Sequence, residues 1–220
     1  MTSTIEFSAS LLAANPLQLH NAITSMIAAG IYHAHYDIMD MHYVNNLGLN
    51  IQTLSAIHQQ FPKLTIDLHY MVKNIDHALA HTQLNPQIRT IYFHPAAAKQ
   101  PEETIQNIHS AGIAAGIAIN PTDAPTHYTH LLKHTSHVLI MGVTPGFSGQ
   151  AFQNQAIKQL EYIKKNANKK ITYALDGGMN PSTIPLIPTN SVDRIILGSA
   201  LFNNNSIDSN IQDCILACSK

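Results

Sequence analysis

His33-Ala34-His35-Tyr36-Asp37-Ile38-Met39 reads as a β-strand, and its period of two sets His35, Asp37 and Met39 on one side. Further along, Leu64-Thr65-Ile66-Asp67-Leu68-His69-Tyr70-Met71 repeats the pattern, with Asp67, His69 and Met71 sharing a side. Working outward, β-branched and aromatic runs recur at residues 5–8, 33–39, 64–71, 90–94, 114–119, 137–143, 171–175 and 194–197, eight in all. Helical segments lie between them, with starts signalled by Asn15-Pro16, Pro101-Glu102-Glu103 and Asn180-Pro181-Ser182. Strand followed by helix, repeated, implies parallel pairing, because parallel neighbours need a crossover. Units of roughly 27 residues suit a closed (β/α)8 arrangement. The expected fold is therefore α/β, a single TIM barrel over residues 1–220. An open doubly wound sheet would want a Gly-x-Gly-x-x-Gly turn after the first strand, and Ser8-Ala9-Ser10-Leu11-Leu12 contains no glycine.

Composition narrows the function classes. The chain is 45% hydrophobic and only 11% charged, with net charge −1, 14 His and 2 Cys in 220 residues. An ordinary apolar fraction with so little charge excludes disorder. With Lys+Arg 12 against Asp+Glu 13 there is no surplus of cations for a nucleic acid, and Lys164, Lys165, Lys169 and Lys170 read as the solvated end of a helix. Met1-Thr2-Ser3-Thr4 lacks a basic leader, and the longest apolar stretch, residues 111–119, is too short to cross a bilayer, so no membrane association is expected. Cys214 and Cys218 match neither a redox pair nor a zinc knuckle and read as idle thiols in a reducing cytoplasm.

In a barrel, function sits at the C-terminal strand ends. There the chain offers His35 and Asp37, then His69, then Asp176 before Gly177-Gly178. Two imidazoles and two carboxylates suit a divalent metal such as zinc, iron, manganese or cobalt. The alternative at this point is a set of internally satisfied polar groups. A second feature is Gly146-Phe147-Ser148-Gly149, Gly177-Gly178 and Gly198-Ser199 after the last three strands. These glycines offer backbone N–H groups to a phosphate, or simply make tight turns. His127, His130 and His134 share one face of an expected helix outside the strand ends and read as surface, whereas His42 and His94 lie nearer the pocket.

Taken together, Ser10-Leu11-Leu12, His35-Tyr36-Asp37-Ile38-Met39-Asp40, Asp67-Leu68-His69-Tyr70-Met71-Val72, Phe93-His94-Pro95, Asn120-Pro121-Thr122, Pro145-Gly146-Phe147-Ser148-Gly149-Gln150, Asp176-Gly177-Gly178 and Gly198-Ser199-Ala200 resemble the ribulose-phosphate 3-epimerases. The resemblance implies a (β/α)8 barrel that inverts the carbon beside the carbonyl of a ketose phosphate, first of all D-ribulose 5-phosphate to D-xylulose 5-phosphate, using a divalent cation, most often zinc. It implies His35, Asp37, His69 and Asp176 as metal ligands, and Asp37 and Asp176 as the two proton carriers through an enediolate. It further implies Ser10 and His69 at the substrate, and Gly146, Phe147, Ser148, Gly149, Gly177, Gly178, Gly198 and Ser199 around its phosphate. Met39, Met71 and Met141 would form a pocket wall, and self-association into a homo-oligomer would be common.

The chain also departs from the family pattern. Where members usually read Met-Asp-Gly-His-Phe-Val-Pro-Asn, it has Met39-Asp40-Met41-His42-Tyr43-Val44-Asn45-Asn46, and Ala9, Asn15 and Ser148 replace a usual proline, aspartate and glycine. Met41 and Asn45 alter a loop at the pocket mouth, which admits a six-carbon ketose phosphate such as D-allulose 6-phosphate as an alternative substrate. A catalytically idle sugar-phosphate-binding relative is a further alternative. Decarboxylases on related barrels want Asp-x-Lys-x-x-Asp at strand three, and here Asp67-Leu68-His69 lacks the lysine.

Overall fold

A computed structural model describes residues 5–203 and 205–218; the reading of Met1-Thr2-Ser3-Thr4 lies outside the described residues. Eight strands form the barrel: β1 (Glu6–Ser10), β2 (His33–Met39), β3 (Thr65–Met71), β4 (Ile88–Phe93), β5 (Ala114–Ile119), β6 (His137–Met141), β7 (Thr172–Asp176) and β8 (Arg194–Leu197). Each pairs in parallel with the next, and β8 closes on β1. The expected barrel is the observed one, with strand limits displaced by a residue or two. The most useful displacement is at the ends of β1 and β7, which run on to Ser10 and Asp176 and so carry those side chains to the C-terminal rim.

Among the described residues six α-helices pack outside: α1 (Leu19–Ala28), α2 (Ile51–Gln60), α3 (Ile75–Ala80), α4 (Pro101–Ser110), α5 (Gln155–Asn166) and α6 (Ile207–Ala217). Local chemistry sets their starts. The Asn50 side chain accepts from Thr53 N to cap α2, and Leu54 and Ile57 are then buried on one face. Pro101 opens α4, where its missing N–H costs nothing, and Glu102 and Glu103 favour the same end. Asn15 caps a short 3-10 turn that leads into α1. Cys214, on the inner face of α6, packs in the core, and Cys218 is exposed.

Two connections differ from expectation. The helix anticipated at Asn180-Pro181-Ser182 is replaced by turns and a 3-10 segment, Ile184–Leu186, because Pro185 within it and Pro188 beyond it cannot continue an α-helical ladder. The β5–β6 connection is the 3-10 helix Pro125–Lys133, whose start is crowded with Thr, His and Tyr, all weak α-formers. His127, His130 and His134 are exposed there, as read from the sequence. No helix among the described residues is long and apolar enough to cross a membrane.

Inside the barrel the side chains fall into layers. At the N-terminal end, Asp67 meets both Arg194 (2.8 Å) and Arg89 (2.9 Å), and Glu6 meets Arg89 (2.9 Å) and the Nε of Arg194. Above it, Tyr92, Ala118, Leu139, Met141, Ala174 and Ile196 form an apolar layer on the β4–β8 side. The C-terminal ends of the strands then open on a cavity.

Candidate active site

The β2–β3 register sets Asp37 beside His69. From this pair and from His35 and Asp176, four donor atoms converge within 4.8 Å of one another. His35 Nε2 lies 3.3 Å from Asp37 Oδ1, 3.6 Å from Asp176 Oδ2 and 3.3 Å from His69 Nδ1; His69 Nδ1 lies 3.1 Å from Asp37 Oδ1 and 4.0 Å from Asp176 Oδ2. Both histidines are fully buried, and Asp37 is nearly so. Ser10 Oγ donates to Asp37 Oδ2 at 3.1 Å, which leaves Oδ1 turned to the cluster.

These separations fit an ion. Ligands about 2.1 Å from a small dication stand about 3.4 Å apart on a tetrahedron and about 3.0 Å apart on an octahedron. The electrostatics agree: a buried and a partly buried carboxylate face each other, and among the described residues no Lys or Arg pairs with either. Burial pulls the His35 ring toward neutrality, but Asp37 and Asp176 outweigh it and push its pKa up to about 9. Burial also acts to raise the Asp37 carboxyl, yet His35 and His69 beside it hold it well below the usual carboxylate range. Asp176 is raised, by burial first, with the imidazoles opposing and the like charge of Asp37 adding. One carboxyl is thus held as the stronger acid and the other as the weaker.

Above the cluster lies a cavity of about 150 Å³. Asp37 and Asp176 reach it, with Ser10, Met39, Met71 and Met141, and so do Gly146, Phe147, Ser148, Gly149, Gly177, Gly178, Gly198 and Ser199. His35 and His69 do not line it; His69 sits behind Asp37 with its other ring nitrogen 3.0 Å from His94. The cavity lining contains no Lys or Arg among the described residues. Gly177 and Gly178 both have positive φ, and a Cβ on Gly178 would lie 2.7 Å from the Phe152 backbone, so this turn requires glycine. Ser148 sits outside that region, which explains why serine is tolerated there, whereas Met41 takes φ +60 and keeps a glycine-like turn without glycine.

Sequence reasoning left several lining residues unassigned. Met179 adds a fourth methionine to the wall, and Asn180 follows it; their place directly after Gly177-Gly178 was the available signal. Gln150 pins the glycine loop by donating to Thr144 O (2.7 Å) and Phe147 O (2.8 Å).

Residues 6–202 match the sequence model of the Ribulose-phosphate 3 epimerase family. The ribulose-phosphate 3-epimerase of Buchnera aphidicola is 31% identical over 210 residues, covering 93% of this chain and 92% of that protein. The Escherichia coli K12 protein of the same name is 30% identical over 197 residues, covering 88% and 87%.

The chain belongs to the ribulose-phosphate 3-epimerase family.

It is accordingly an isomerase of the epimerase kind. Solved structures resemble it in fold. The 3-keto-L-gulonate-6-phosphate decarboxylase of Vibrio cholerae superposes with TM-score 0.72 at 11% identity, over 100% of this chain and 98% of that one. The 3-hexulose-6-phosphate synthase of Salmonella typhimurium gives 0.67 at 13% identity, over 98% and 99%. At such identities the shared feature is the barrel alone. Within the epimerase family, the four-donor group fits a divalent cation, with nitrogen and oxygen ligands of the type that suits zinc, iron, manganese or cobalt.

Proposed function

We propose that this chain is a metal-dependent 3-epimerase that interconverts D-ribulose 5-phosphate and D-xylulose 5-phosphate. The observation that carries the reading is the meeting of Asp37 and Asp176, from β2 and β7, at the base of a small cavity rimmed by glycine loops. A proton beside a ketone is too weakly acidic to leave unaided, and inversion needs an acid and a base acting on different faces of the same carbon. Asp37 and Asp176 take these two roles, removing the C3 proton from one face and returning one to the other through an enediolate. A divalent cation held by His35, Asp37, His69 and Asp176, zinc being the first choice, supplies Lewis-acid stabilisation of the negative charge that develops.

The remaining residues position and enclose the substrate. Its phosphate meets backbone N–H groups of Gly146, Phe147, Ser148 and Gly149, and of Gly177, Gly178, Gly198 and Ser199, in the absence of lining Lys or Arg. Phosphate binding far from C3 provides positioning energy. Met39, Met71 and Met141 form a soft apolar wall that keeps water from the planar intermediate. Ser10 steadies Asp37 and meets the substrate. His69, being fully buried, acts through the cluster. In the same reading residues 1–220 form one barrel domain that works in the cytoplasm as a homo-oligomer.

The test is incubation with D-ribulose 5-phosphate in heavy water, following deuterium entry at C3 with and without chelator. Exchange that stops on chelation and returns with zinc supports the proposal. Exchange with D-allulose 6-phosphate alone would move the substrate to six carbons. No exchange with either sugar by metal-loaded protein would overturn it and leave an idle binding protein.

A further inference from the structure

His94 follows β4 at the C-terminal rim, is buried, and has no role in the reaction described above. Its Nε2 lies 3.0 Å from Nε2 of His69, whose Nδ1 faces the four-donor cluster. Two ring nitrogens at that distance share one proton, with one ring donating and the other accepting. An imidazole that offers a lone pair to a cation through Nδ1 carries its proton on Nε2 and must donate it. The acceptor here is His94. The other ring nitrogen of His94, Nδ1, is buried and makes no regular hydrogen bond among the described residues, and the Ala118 backbone is the polar group that acts on the ring.

The His94 ring is itself held. Tyr43 stacks on it, with centroids 4.8 Å apart and planes 27° apart, and Asn120 Nδ2 donates to the Tyr43 hydroxyl at 3.0 Å. Tyr43 lies on the β2–α2 loop, whose Asn46 also donates to Gly146 O at 2.6 Å. One loop therefore braces both His94 and the glycine turn across the cavity.

We infer that His94 is a positioning residue that keeps the His69 proton on Nε2 and so leaves Nδ1 free for the cation, with Tyr43 clamping the ring. The inference rests on the metal reading proposed above.

The experiment measures zinc affinity by chelator competition for the wild type, His94→Phe, His94→Gln and Tyr43→Ala, together with thermal melts of each metal-free protein. Phe preserves a flat ring without an acceptor, and the Gln carbonyl stands near the position of Nε2. Outer-shell partners of this kind are worth about 10- to 100-fold in metal affinity. His94→Phe is expected to lose that much, His94→Gln to recover most of it, and Tyr43→Ala to fall between. Unchanged affinity in His94→Phe would overturn the inference, as would His94→Gln binding as weakly as His94→Phe. A lowered metal-free melt with unchanged affinity would reduce His94 to packing and overturn it too. If wild type binds no zinc, the metal reading itself fails, a result separable from the others.

Discussion

The barrel interior holds two charged clusters, one at each end, and they are solved differently. At the N-terminal end two carboxylates, Glu6 and Asp67, face two guanidiniums, Arg89 and Arg194, and the charges cancel. Burial acts to raise the Asp67 carboxyl, but Arg194 and Arg89 bring it below the ordinary carboxylate range. At the C-terminal end two carboxylates, Asp37 and Asp176, face only two imidazoles, and a buried ring is drawn up to about 9 to supply charge. A cluster that neutralises itself closes a barrel. One with two carboxylates and only imidazoles beside them suits a divalent cation.

The largest effect separating the two ends is chemical. Asp176→Asn is expected to cut kcat/KM for epimerisation by on the order of 10³-fold or more, the scale of a lost proton carrier, as measured in a coupled assay. In urea unfolding of the metal-free protein the same variant should be no less stable than wild type, since it removes one of two like charges. Full activity in this variant would remove the two-carboxylate scheme.

The other end should behave oppositely. Arg194→Met strands Asp67 beside a single partner and is expected to cost about 3–5 kcal/mol by denaturant unfolding. Adding Asp67→Leu removes the stranded charge, leaves the Arg89–Glu6 pair, and should restore most of the loss. A double variant as unstable as the single one would show that packing, not charge balance, holds that end.

A smaller effect is read in acid. Burial first, then Arg194, holds His137 at about 4, below the ordinary 6.5. Because the unfolded chain binds this proton more readily, the stabilisation is complete above 6.5 and is lost as pH falls through the window from 6.5 to 4. It amounts to about 3 kcal/mol. His137→Gln should flatten the stability profile across that window, and an unchanged slope would assign the acid sensitivity elsewhere. Smaller still is Met41→Gly, which relieves a left-handed residue in the β2–α2 loop and is expected to stabilise by less than about 1 kcal/mol in thermal unfolding.

The sequence made one end of this comparison legible and hid the other. His35, Asp37 and His69 stand at strand ends with a period of two, and Asp176 precedes two glycines, so local pattern alone brought them forward. The ion network depends on Asp67 finding Arg89 and Arg194, which are 22 and 127 residues away, and no local pattern announces such partners. Asp67 carried the same strand signature as Asp37; only barrel closure shows that it lies a layer lower and is already satisfied. The eight-unit repeat survived because strand and helix periods are strong signals. After β7, Asn180-Pro181-Ser182 is a good helix start, but Pro185 and Pro188 follow it and prevent continuation. His94 stands near a strand end in the sequence, but its contact with His69 is a property of packing.

The most direct test of the contrast is calorimetric titration of zinc into metal-free protein, using wild type, Asp37→Asn/Asp176→Asn and Arg194→Met at matched pH under folded conditions. One ion per chain is expected in wild type and in Arg194→Met, and none in the double Asp variant. Absence of binding in wild type, or binding that survives loss of both carboxylates, would contradict the account.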